Sequence, residues 1–366
     1  MVGSLRDLFS VTFAGALPDL FDAPAIAETR ATCASCAMCA EPAQGAVETV
    51  SFRPDIKCCT YHPSLQNFLV GAVLDDASSD LDAGRAALRE KIARRIGVTP
   101  HAVEAPRKYT LLFEASRESS FGRSESMVCP YYVRDGGRCG IWRHRDVVCT
   151  TFFCKHTRGA VALDFWTALK KYLGYTHARL ADHLVRTIAP GAIETNVPKG
   201  KLTREDLEDR PAPDETYARS WSDWLGREEA FYVECARRVR AMSADDFARV
   251  TQDETSRALL DETRRRYEAA SAPRLEPRLA LRRDLHVVPA PGGVAVTSYR
   301  RYDSLFLSDA LYEALARFGH DEPVTDVLER LRADGIELPE SLLLEMQLHA
   351  IVVPPSDEAS CQSKGS

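Results

Sequence analysis

The chain of 366 residues has no excess of positive charge: 47 Lys and Arg stand against 53 Asp and Glu, a formal net charge of −6. With no basic field to gather phosphate backbones, nucleic-acid binding gains no support. Long apolar runs are missing too. The stretch 68–74 falls far short of the roughly twenty residues that span a bilayer, so no membrane association is expected. The N-terminus lacks a basic leader region: Arg6 stands alone, and the apolar run 11–17 is bracketed by Asp7 and Asp19. These absences predict a cytoplasmic chain.

Common catalytic signatures are also missing. There is no Gly-x-Ser-x-Gly, no His-Glu-x-x-His, and no pair of carboxylates placed as acid and base. Gly200-Lys201 fails as a phosphate loop, because Thr195 occupies the position of the first glycine and no Ser or Thr follows the lysine directly. No catalytic residue can be named, and whether the chain is an enzyme stays open.

What the chain has in excess is cysteine. Of eleven, nine fall between Cys33 and Cys154. In a reducing compartment a dense cysteine framework points to metal binding, because cellular reductants keep thiols open. The first group is Cys33, Cys36 and Cys39, followed by the adjacent pair Cys58 and Cys59. The second is Cys129, Cys139, Cys149 and Cys154. Nine thiols exceed the needs of one tetrahedral ion. Two-residue spacers let one turn aim successive sulfurs at a single centre, as in ferredoxin-type loops. Ala43 stands where such a loop carries a further cysteine, so the closing ligand would be Cys58, Cys59 or a member of the second group. The spacing used by radical S-adenosylmethionine enzymes is absent. The bland alternative, buried structural thiols, fits poorly with cysteines at turn-like spacings in polar loops. Iron–sulfur is favoured over zinc, because the run of three suits a cluster and spaced His pairs are nearly absent.

Other residues near the cysteines have simpler readings. His62, His144 and His156 are expected to be solvent-facing or hydrogen-bonded rather than ligands. Arg145 either pairs with thiolate charge or lies on the surface. Cys235 reads as helix packing, Cys361 as part of a tail, and 264–266 as a solvated basic face.

The segment 129–154 resembles the signature half of the YkgJ-type cysteine-cluster family of candidate zinc- or iron-chelating domains. The resemblance rests on Cys129-Pro130, Cys139-Gly140-Ile141-Trp142, and Arg145 ahead of Cys149 and Cys154. Asp146 replaces the proline that usually follows the arginine, Thr150 replaces an arginine, and Ala40 stands where the first half usually has a fourth cysteine. The resemblance implies a bacterial-type metal-binding protein. Since flagellin lysine methylases share this signature, it also implies a protein or peptide substrate as one possibility. The alternative is a non-enzymatic zinc-stapled interaction module.

The expected fold class is α+β: a loop-rich, metal-stapled N-terminal domain (1–160), a helical middle (161–284) with a linker near 197–215, a small winged-helix-like domain (285–354) and a disordered tail (355–366). In 1–60, metal is expected to replace a missing core. A helix is predicted over 81–96, with Leu88, Ile92 and Ile96 four apart. A strand is predicted over 109–113, a turn at 135–137, and helices over 160–173 and 177–188, divided at Gly174. In the C-terminal part, strands are predicted over 285–289, 293–297 and 304–307. Three helices follow: one capped by Ser308, one stopping at Gly335, and one starting near Pro339. This order is similar to PqqD-like winged-helix domains, which recognise leader peptides.

Overall fold

Apolar residues four apart produce the predicted helix at Asp82–Arg94, with Leu88 and Ile92 turned inward. It ends sooner than the apolar period suggests, because Arg95 adopts the left-handed conformation (φ 56°). The computed structural model describes residues 3–31, 33, 36–39, 51–192, 204–319 and 321–355. Helix makes up 53% and strand 9%, so the fold is α+β. Among the described residues, no helix is long and apolar enough to cross a membrane. Residues 197–203 of the predicted linker and the tail from 356, with Cys361, lie outside the described residues.

Two compact units form, and each is assembled from separated stretches of chain. The first takes its described residues from 1–25, 52–152 and 169–261, the second from 26–51, 153–168 and 262–366. Boundaries drawn along the sequence at 160 and 284 do not coincide with this division.

In the first unit the helix Asn67–Asp75 buries every residue from 67 to 74. It crosses Glu228–Arg240 at glycine distance: a β-carbon on Gly71 would overlap the Tyr232 carbonyl. The buried Asn67 is fully used. Its amide donates to the carbonyls of Pro100 (3.0 Å) and Ala181 (3.1 Å), and its carbonyl accepts from the Phe68 amide. Residues 3–25 were expected to lack a core, yet Leu5, Phe13, Leu17 and Phe21 are buried. Edge-to-face contacts of Phe9 with Phe21 (5.7 Å) and Phe13 with Phe68 (5.9 Å) pack this segment.

Two further expectations are corrected. Residues 109–113 are not a strand but part of the helix Arg107–Ser120. Tyr109 and Phe113 stack at 6.0 Å, a contact between residues four apart that only helix supplies. Gly174 does not divide two helices, because Gly159–Ile188 runs unbroken through it. Buried Tyr172, Leu173, Thr176 and His177 flank that glycine, and their packing outweighs its cost of about 1 kcal/mol in a helix.

In the second unit, His286–Ala290, Gly293–Thr297 and Leu305–Ser308 form an antiparallel sheet in that order, with Ala290 opposite Gly293 across a tight turn. Asp309–Leu315, Val324–Ala333 and Glu340–Leu348 follow, and the Ser308 hydroxyl accepts from the Leu311 amide as the predicted cap. Val296, Leu307, Leu315, Val327, Leu331 and Leu343 make the core. Ala280–Leu281 pairs with Val352–Val353, Ala280 with Val353 and Leu281 with Val352, a long-range contact that no local pattern announced.

His177 sits between Phe13 (4.5 Å) and Phe68 (5.2 Å) with neither ring nitrogen hydrogen-bonded. Burial lowers its pKa from 6.5 to about 3. It is therefore neutral in the folded chain and charged in the unfolded one between those pH values. Its share of stability is complete above pH 6.5 and is lost as pH falls toward 3, at up to about 1.4 kcal/mol per pH unit. Replacing His177 with Leu should flatten the acid limb of a plot of urea midpoint against pH. An unchanged slope would contradict the assignment.

Candidate metal centre

Cys58, Cys59, Cys129, Cys139 and Cys149 belong to the first unit, and backbone bonds tie their segments together. The Cys129 amide donates to the Cys59 carbonyl at 2.9 Å. Tyr132–Val133 and Arg138–Cys139 form a hairpin that sets Cys139 opposite Tyr132, three residues from Cys129. The predicted turn lies between them, with Gly136 and Gly137 at φ 77° and 56° and the Gly137 carbonyl accepting from Lys57 Nζ (3.2 Å). Cys149 rides on the short helix Val147–Thr151, which Asp146 caps by accepting from the Val148 amide at 2.8 Å. Asp146 is thus the N-cap that orients this cysteine. On the other side, Gly84 lets the helix Asp82–Arg94 lie directly against the Gly140 carbonyl beside Cys139.

The sulfurs are held where charge is costly. Burial pushes the Cys129 thiol up to about 12, aided by Cys139 and opposed by the amides of Tyr131 and Tyr132 and by Lys91. Cys149 is pushed well above the usual thiol range by burial, with Asp146, Cys129 and Cys139 adding to the effect. Cys58 is raised by its hydrogen bond with Cys59 and by burial. Cys129, Cys139 and Cys149 therefore lie within electrostatic reach of one another. As they stand, no three His, Cys, Asp or Glu side chains among the described residues converge to hold an ion. The donors nonetheless suit a thiophilic metal: three mutually sensed sulfurs and the adjacent Cys58–Cys59 pair, each of which would exchange a proton for a cation.

Lys91 lies within electrostatic reach of Cys129. Burial lowers it to about 8, while Cys129 acts to keep it charged. Its Nζ contacts His62 Nε2 (3.1 Å) and donates to the Glu104 carbonyl (3.1 Å). Burial and Lys91 lower His62 to about 3, so the imidazole is neutral and its Nε2 accepts from the ammonium. Nothing about this lysine was legible from spacing; only its place on the helix beside Cys129 reveals it.

Cys33, Cys36, Cys39 and Cys154 belong to the second unit. There the Thr29 amide donates to Thr157 Oγ1 (3.0 Å), and the Thr157 amide donates to Glu28 Oε2 (2.6 Å). Trp166 Nε1 donates to the other Glu28 oxygen (2.7 Å). The buried Asp303 pairs with Arg30 (2.7 Å) and accepts from the His156 amide (3.2 Å) and from the Tyr299 hydroxyl. Arg30 also donates to the His156 carbonyl at 3.1 Å. The Cys39 amide closes a turn onto the Cys36 carbonyl (3.0 Å).

The three histidines beside the cysteines are all buried, and none faces solvent. Only His144 is satisfied at both ring nitrogens, by Ser10 (2.7 Å) and Asp76 (3.0 Å). His156 has neither nitrogen hydrogen-bonded. Arg145 lies over the Trp142 ring at 3.4 Å and donates to its carbonyl (3.0 Å), and its charge opposes the rise of the Cys149 thiol. Cys235 is fully buried in its helix, as helix packing requires. In the basic run, Arg265 and Arg266 pair with Glu262 on the same helix.

No protein-family model, curated protein or solved structure matches the chain.

The Gly84 contact gives a direct test of how tightly the Cys139 segment is held. Alanine there raises helix propensity by about 1 kcal/mol, but its β-carbon would overlap the Gly140 carbonyl. Gly84→Ala should therefore lower the urea midpoint. A midpoint equal to or above that of the unchanged chain would show that this approach does not constrain the Cys139 strand.

Proposed function

We propose that this chain is a metal-binding cysteine-cluster protein that carries iron–sulfur, used for redox chemistry or for modifying a protein or peptide. The observation that supports this most strongly is the gathering of Cys59, Cys129, Cys139 and Cys149 by a backbone bond, a hairpin and a capped helix in one compact unit. Thiols used only as core filler need no such backbone arrangement, and burial at these positions penalises a thiolate that a bound cation would neutralise.

An iron–sulfur group would supply one-electron transfer, with a potential set by charge and hydrogen bonds around its sulfurs. In this reading Lys91 acts on that potential, since its ammonium lies within reach of Cys129 and stabilises the more negative state of the centre. The reading places the chain in the cytoplasm, where its thiols stay reduced before metal loading. The sheet and three helices of 286–348 form a winged-helix-like element order on which a peptide substrate could dock, in keeping with the resemblance of the C-terminal region.

Anaerobic purification followed by iron, acid-labile sulfide and zinc quantitation tests the proposal. The expected result is a coloured protein with broad visible absorption, bleached by reductant, with iron and sulfide in matching amounts. A colourless protein with stoichiometric zinc and no sulfide would overturn the iron–sulfur assignment and leave a zinc-stapled interaction module. A metal-free protein would overturn the proposal entirely.

A further inference from the structure

The nine clustered cysteines divide between the two units as Cys33, Cys36, Cys39 and Cys154 in one and Cys58, Cys59, Cys129, Cys139 and Cys149 in the other. This is not the division that sequence order gives. Cys154 is separated from Cys149 and joined to the run that begins 121 residues earlier. The join has a physical basis in the hydrogen bonds of Glu28, Thr29 and Arg30 to His156 and Thr157. Cys33 follows Arg30 by three residues, a reach of about 10 Å, and Cys154 precedes His156 by two, about 7 Å. The staple thus joins the chain entering the Cys33 run to the chain leaving Cys154. Asp303 braces the staple by holding Arg30 and the His156 amide together in the interior.

Resting on the metal-binding reading above, we propose that the chain holds two separate metal centres, and that Cys154 is the fourth thiolate of the centre begun by Cys33, Cys36 and Cys39. Three cysteines at two-residue spacing present three sulfurs to one centre and need one more from elsewhere in the chain. Cys154 is the one cysteine of the second group placed in the same unit. Two further features suit a four-thiolate centre with net negative charge. The Arg300 guanidinium lies within electrostatic reach of Cys154. His156, fully buried with neither ring nitrogen hydrogen-bonded, has an N–H to offer a ligated sulfur two residues away. An orphaned buried imidazole nitrogen carries a desolvation cost, which such a bond would recover. The other five cysteines then serve the first unit alone, more than the four thiolates one cluster requires.

The experiment is metal quantitation by native mass spectrometry on the anaerobically purified full chain and its variants. Cys36→Ser and Cys154→Ser should each lose the same one of two metal complements, and the double variant should lose no more than either. Cys129→Ser should lose the other complement, and Cys129→Ser combined with Cys154→Ser should lose both. If Cys154→Ser removes the complement that Cys129→Ser removes, the assignment is overturned while the metal-binding reading stands. Loss of the first complement in His156→Ala but not in Cys154→Ser also overturns it. A metal-free unchanged chain overturns the reading and this inference together. Because serine variants can misfold, graded chelation of the unchanged chain, alkylation with iodoacetamide and peptide mass spectrometry gives an independent readout. Cys154 should become labelled in step with Cys33, Cys36 and Cys39; labelling in step with Cys129 and Cys149 would overturn the assignment.

Discussion

A sulfur taken out of water has to stay protonated or share its charge with a cation, and Cys58, Cys129 and Cys149 are held where that choice is forced. Lys91 offers one positive charge near Cys129, but burial weakens its own hold on the proton, and one ammonium cannot neutralise several thiolates. The surrounding structure serves to keep these sulfurs together despite that cost. The Cys59 carbonyl fixes the Cys129 amide, the hairpin returns Cys139, Asp146 starts the turn of helix under Cys149, and Gly84 admits the neighbouring helix. A metal that displaced the protons, as proposed, would neutralise the thiolates and add its binding free energy to folding.

The second unit manages charge differently. Its interior polar hub is Asp303, whose carboxylate receives Arg30, the His156 amide and the Tyr299 hydroxyl. Glu28 is similarly enclosed. Burial raises its pKa, and hydrogen bonds from Thr157 and Trp166 oppose the rise. Buried carboxylates are tolerated when each oxygen is engaged, and here the engagement also fixes chain direction on both sides of the cysteines. The polar groups that bind the unit together are the same ones that bring the segment before Cys33 to the segment after Cys154.

Locally encoded parts of this fold could be read from the sequence. Leu88 and Ile92 announce their helix by period, Ser308 announces a helix start, and the alternating strands around 286–308 follow from turn chemistry and β-branched residues. The segment 109–113 misleads because Tyr-Thr-Leu-Leu-Phe is rich in strand-favouring residues, whereas the stacking of Tyr109 on Phe113 exists only once the chain has coiled. Gly174 misleads because a local propensity is overridden by buried neighbours. The division into two interleaved units depends on where the chain returns, which no linear scan of composition reveals.

The candidate site was legible in its residue types and only partly in its arrangement. Cysteine spacing picked out the nine thiols, but the partition of Cys154 away from Cys149 rests on hydrogen bonds between residues some 128 positions apart. The burial of His62, His144 and His156, the stacking of Arg145 on Trp142, and the place of Lys91 are tertiary facts without a sequence motif. X-ray absorption at the metal edge of the anaerobically purified full chain tests the central claim that these cysteines act as thiolate ligands. The account predicts a first shell made of sulfur alone, at about 2.3 Å. A first shell dominated by nitrogen or oxygen would contradict it.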